Sequence, residues 1–166
     1  MRTAGTFTTI KFDCREDFER QRPSGLHVAR NEFTVVGLEW MWRMALGELR
    51  NDEGGLSDHL SKARLIVGDS DEPWTEAQER LVGEQTAYAT LDDGYPRRDG
   101  MVQTDEGRAC RVTFQATFGE DAATFDWLEA GVTSVQGVLI DRSVADRGRK
   151  APGSVWTLNS ALDLYP

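Results

Sequence analysis

The sequence predicts a mainly β protein: an antiparallel β-sandwich of about seven or eight strands with one principal helix over residues 35–49. Three observations carry this. In the run Arg111–Phe118, Val112, Phe114, Ala116 and Phe118 fall on one face, and Thr113, Gln115 and Thr117 on the other. In the run from Val155, Trp156, Leu158, Leu162 and Leu164 share a face. Period two over such lengths marks strands with one side on a core and one side wet. Several such runs follow one another with turn residues between them, which indicates antiparallel pairing and not βαβ units.

Taken in order, residues 4–12 alternate loosely, are rich in Thr and predict a strand. Residues 13–23 are highly charged and run into Pro23-Ser24-Gly25, the chemistry of a linker. Residues 1–22 are therefore expected to form an N-terminal arm that adds its strand to a neighbouring chain, beside a sandwich domain over 23–166. Thr34 is a good helix N-cap, because its hydroxyl can accept from first-turn amides. Val35, Leu38, Met41, Trp42, Ala45, Leu46 and Leu49 then recur at threes and fours, and Asn51–Gly55 supply the stop. Gly37 and Gly47 each cost about 1 kcal/mol inside a helix, a cost offset where another backbone packs on them. This helix is expected to lie across a sheet face.

Lys62–Gly68 predicts a short buried strand and Asp69–Trp74 an acidic turn. Thr75–Gly83 predicts a helical turn capped by Thr75, with Glu76 and Glu79 near its positive end. Thr86–Leu91 alternates as a strand. Asp92–Asp105 is expected to be a long polar loop, and the basic stretch Arg142–Gly153 an exposed loop or hairpin tip.

Composition narrows the function. The 166 residues suit one domain with a core, and a formal net charge of −9 argues against nucleic acid or anionic lipid as a main partner. The N-terminus has no apolar run of signal-peptide length, and no segment approaches the ~18 apolar residues of a membrane span. The expectation is a protein made and kept in a cytoplasm. Cys14 and Cys110 are too far apart in sequence for a disulfide framework or zinc site and are expected to be free thiols.

No phosphate-binding loop, dinucleotide fingerprint, zinc-protease motif or nucleophile elbow is present. The two histidines, His27 and His59, are expected at the surface. Asp69, Asp71 and Glu72 form the best carboxylate cluster, but they lack the glycine and distal glutamate of a calcium loop and are expected to be a solvated turn. Asp92-Asp93-Gly94 is turn chemistry, and Glu129 has no visible acid partner for catalysis. Of five tryptophans, Trp42 and Trp156 fit core faces, Trp74 lies in a loop, and Trp127 on a strand. Trp40 points about 160° away from Trp42, so one of the pair is expected to face another subunit. No catalytic, cofactor-binding or metal-binding residue is assigned, and no cofactor is expected.

The order of elements carries a resemblance. It runs Asn31, Thr34, Gly37 and Leu38 to Leu49; Ile66-Val67-Gly68; Leu81 to Glu84; Val112 to Phe118; Glu129-Ala130-Gly131-Val132; Leu139 to Arg142; and Trp156-Thr157-Leu158. This set is similar to that of tailed-bacteriophage virion proteins, namely tail-fibre, tail-tip and related appendage proteins. The resemblance implies a β-sandwich-like domain, a place in the virion after synthesis in the host cytoplasm, other virion proteins as partners, a homo-oligomer (a trimer by analogy) and no enzymatic activity. Long fibre proteins continue into repetitive shafts, whereas this sequence stops at Pro166. That favours a neck or tail fitting, or a capsid decoration protein. A carbohydrate-binding module is the alternative of another class; it would need exposed tryptophans in a cleft, and a small glycosidase paired carboxylates as well.

Overall fold

The computed structural model describes residues 2–45 and 60–166. These contain nine strands: β1 (Arg2–Phe12), β2 (Gly25–Phe33), β3 (Arg64–Gly68), β4 (Thr86–Thr90), β5 (Arg97–Thr104), β6 (Gly107–Phe118), β7 (Glu129–Thr133), β8 (Leu139–Val144) and β9 (Val155–Tyr165). Two helices accompany them, α1 (Arg15–Glu19) and α2 (Val35–Ala45). All strands belong to one antiparallel sheet in the order β4-β3-β7-β8-β2-β1-β9-β6-β5. The fold is mainly β and antiparallel, as the period-two runs predict. The sheet curls, so that Phe7, Phe114, Phe118 and Leu158 from one half share a core with Leu65, Val67, Ala130 and Val132 from the other. Asp92 N–H donates to Gln115 O at 2.9 Å, tying the end of β4 to β6 across the curl.

The most regular faces do form the core. Phe114, Phe118, Trp156 and Leu158 are all buried in one cluster. Trp127 stands edge-on between Phe118 and Trp156, with ring centroids 4.8 and 4.9 Å away, a favoured aromatic arrangement. β9 is buried on both faces, since Val155 and Thr157 are as enclosed as Trp156 and Leu158.

The helix begins where expected. Thr34 Oγ1 accepts from Gly37 N–H at 2.9 Å and donates to Leu139 O at 2.6 Å. A Cβ on Gly37 would collide with the backbone of Ile140, so the glycine lets α2 lie directly on β8. Leu46, Gly47, Leu49 and Asn51–Gly55 lie outside the described residues. Neither described helix is long and apolar enough to cross a membrane.

Four expectations are corrected. Residues 1–22 are not an arm: β1 sits inside the sheet, paired with β9 along its whole length and with β2 from Gly5 to Lys11. Gly5, Phe7 and Thr9 turn into the core, which fixes the strand to its own domain. The charged stretch after β1 holds α1, whose Phe18 packs edge-on against Phe12 at 5.3 Å. The polar segment 92–105 holds β5, which forms a hairpin with β6; Gly107 at φ +120° follows the turn. An edge strand can be polar on both faces. Within 75–83 only a single turn forms, closed by Gln78 N–H donating to Thr75 O at 3.2 Å, while Gln78 Oε1 accepts from Thr75 N–H at 3.1 Å. Finally, the basic stretch 142–153 is not an exposed tip: Arg142, Arg147 and Lys150 are buried.

One feature of the topology organises the rest. β2 pairs with β1 from Lys11–Gly25 to Gly5–Asn31, then leaves it and pairs with β8 through Glu32 and Phe33. Two forks result. On one side Arg2–Ala4 continue beside β9 without β2. On the other, Gly25–Asn31 run without β8.

Candidate functional site

The first fork is open. It forms a groove of about 750 Å³ between the start of β1, the end of β2, Trp74, Leu38 and the β5–β6 turn. At its branch point the Asn31 side chain lies across Gly5, where a Cβ would collide with it. Asn31 Nδ2 donates to Asp141 Oδ2, while Asn31 Oδ1 is buried without a partner. Trp74 Nε1 is likewise buried without a partner on this lining. On the far wall Arg111 grips Asp163 through two hydrogen bonds of 2.7 Å, which raise the Arg111 pKa further. The Tyr165 and Thr104 hydroxyls lie 3.0 Å apart beside them. Among the lining side chains Glu32, Asp105, Glu106 and Asp163 outnumber Arg30 and Arg111, so the groove is acidic.

Behind Asn31 stands Asp141, fully buried. Its Oδ1 accepts from Val132 N–H at 2.8 Å, and its Oδ2 from Asn31 and, at 3.5 Å, from Ser160 Oγ. Burial outweighs these bonds and pushes the carboxyl up to about 7, since a low-dielectric site disfavours the charged form. The group ties β8 to β2, β7 and β9 at once.

The second fork is filled by the chain's own side chains. Ser143 Oγ donates to Arg30 O at 2.5 Å, where a strand bond to β8 would otherwise fall. Arg147 donates to Ser143 Oγ and Ala145 O, both at 2.9 Å, and its guanidinium lies 5.8 Å from the Phe7 ring centre. Lys11 Nζ donates to Arg147 O and sits 4.6 Å above the Trp156 ring. Burial lowers Arg147 to about 10. His27, expected at the surface, is part of this fork; burial first, then Arg147 and Lys11, lower its pKa. Lys150 is held in a similar way, donating to the Gly119 and Ser154 carbonyls at 2.7 Å each.

A third polar cluster fastens the 69–85 segment onto the sheet. Arg142 Nε donates to Glu129 Oε2 at 2.7 Å, and both side chains are fully buried. Arg142 also reaches Gln78 Oε1 at 2.8 Å and Glu72 O at 3.1 Å. Glu129 accepts from Val82 N–H at 3.0 Å and Gly83 N–H at 2.7 Å. Each guanidinium nitrogen of Arg142 and each carboxylate oxygen of Glu129 makes at least one bond that holds chain.

The acids singled out in the sequence do not converge. Asp69 accepts from Gln85 N–H at 2.9 Å and its side chain at 3.0 Å, while Asp71 and Glu72 are exposed. Among the described residues no group of three or more His, Cys, Asp or Glu is placed to hold a metal ion. Asp92 serves its turn, accepting from Thr117 N–H at 3.0 Å and Thr117 Oγ1 at 2.8 Å. Cys14 and Cys110 are unpaired. Trp40 is buried within the chain, and the Trp42 side chain and His59 lie outside what is described. Asn31, Asp141, Arg111 and Asp163 carry no sequence signal as a set: Asp163 between Leu162 and Leu164 fits the alternation of an ordinary half-wet strand. Compared with known proteins, the chain matches no family model and shows no significant match to a curated protein.

Proposed function

We propose that this chain is a non-enzymatic structural component of a tailed-phage particle, a tail-fibre, neck or tail-tip fitting that acts through contacts with a sister copy and with other virion proteins. The ordered motif set described above supplies the virion context. The observation that carries the contact role is an apolar patch on the outer face of β2. Leu26 is 67% exposed and Val28 57% exposed. Leu26 stands opposite the half-buried Ile10, and Val28 opposite Thr8, on β1, so the patch extends onto β1 through Ile10. Apolar side chains grouped on a rigid sheet favour burial against another protein. The buried carboxylates point the same way, because Glu129 and Asp141 are committed to holding strands and loops together.

Imaging of purified particles with a tagged chain tests the proposal, with density expected at the tail or neck. Label spread over the capsid would instead make it a decoration protein, and absence from particles would end the virion reading. Leu26→Glu with Val28→Glu should reduce self-association in sedimentation while leaving the circular dichroism spectrum intact.

A further inference from the structure

Resting on that contact role, we infer that the open fork between β1 and β2 captures an extended segment of a partner protein whose side chains are uncharged or basic. The strand edge comes first. Arg2–Ala4 are paired with β9 on one side, and no described strand lies on their other side, which faces the groove. A bare strand edge presents amide and carbonyl groups that another extended chain can satisfy. Among the described residues the outer edges of β4 and β5 are unpaired too, and Thr86 of β4 lines a second groove with residues of the 72–83 segment. The fork is lined opposite the edge by Trp74 and Leu38 and floored by Asn31.

The lining then specifies what enters. Asn31 Oδ1 and Trp74 Nε1 lack partners but are closed off from the groove, Asn31 Oδ1 lying against Gly5, so an entering chain meets the strand edge and the charge of the walls. The acidic lining disfavours carboxylates and favours lysine or arginine.

The test uses the full chain and a random pool of capped peptides of about six residues, a common strand length. Enrichment of uncharged and basic sequences is expected, with binding abolished when alternate peptide nitrogens are methylated. Trp74→Phe, which replaces the indole with a smaller ring and so cuts back one wall of the groove, should weaken the selected peptides by roughly three- to tenfold. Glu32→Arg alters an exposed side chain on the groove wall and should shift the preference towards acidic sequences. A pool with no enrichment overturns the inference. So does binding that ignores N-methylation and both substitutions, and so does saturable binding of oligosaccharides that Trp74→Phe removes. Particle imaging is read separately: a chain found on particles that selects no peptide loses the fork and keeps the virion role, and the converse result does the opposite.

Discussion

The two forks beside β2 begin from the same topological event and end differently. β2 leaves β1 on one side and β8 on the other, and each departure strands a length of backbone. In the closed fork Ser143 reaches across to Arg30 O, and Arg147 and Lys11 fill the gap between Phe7 and Trp156. In the open fork only Asn31 crosses, and its amide spends its donor on Asp141. A strand that changes partners thus leaves a gap whose fate is decided by side-chain length. Arg and Lys can carry their own charge into a gap and still reach carbonyls, whereas Asn over a glycine leaves the gap vacant.

The comparison can be broken at its root by deleting residues 1–12. That removes β1, which belongs to both forks and joins the two halves of the sheet, and the truncated chain is expected to lose its cooperative thermal transition entirely. A cooperatively folded product would show that the halves stand without it.

Trp156→Ala comes next. It sits at the closed end, under Lys11 and against Trp127, and should cost about 3–5 kcal/mol in a denaturant titration. A cost below ~1 kcal/mol would mean that this end is loosely packed.

Asp141→Asn probes the carboxyl that backs the open fork. Its pKa is raised from 3.8 to about 7 in the fold, so the folded state holds a proton that the unfolded state releases. The corresponding stability is fully present below about pH 4, declines as pH rises towards about 7, and is lost above that, with a slope of up to about 1.4 kcal/mol per pH unit. Asparagine has no such proton, and its amide can donate to Asn31 Oδ1 once that side chain turns over. Unfolding free energies of both proteins from pH 4 to 8 should therefore diverge in favour of the variant. Parallel curves would mean that Asp141 is ionised throughout.

The smallest effect is expected from Tyr165→Phe, at the opposite end of β9 from Trp156. It removes one hydroxyl beside Thr104 on the groove wall and should change stability by no more than ~1 kcal/mol. A larger loss, read in the same titration, would make the open fork as structural as the closed one.

Much of the strand plan is legible in the sequence because it is local. Val112–Phe118 and Trp156–Leu164 declare a face by alternation, and Thr34 declares a cap by its position before a helical period. What was misread depends on partners far away. Residues 97–104 lack an apolar face because they lie at an edge, so their strand character rests on pairing with β6. Arg142, Arg147 and Lys150 look like surface residues until Glu129, the Phe7 ring and the carbonyls of Glu72 and Gly119 enclose them. The groove is less legible still. Asn31 and Asp141 are 110 residues apart, and nothing in either neighbourhood announces the other. The partner of β1 is hidden for a related reason: a Thr-rich strand before a charged segment has the same local pattern whether it pairs with its own sheet or with a neighbour's.

The pairing of Arg2 with Tyr165, and of Phe12 with Val155, sets a timetable for the growing chain. On a ribosome β1 emerges long before β9, the strand it runs beside along its whole length. At a synthesis rate of about 5–20 residues per second that delay is on the order of ten seconds. For that interval Phe7 and Phe33 have no finished core to enter, and the non-local closure that ends the wait is of the slow kind. The nascent chain is therefore most exposed to wrong partners just before β9 is made, and a chaperone that holds β1 and β2 through that interval would help more than one acting after β9 has joined the sheet.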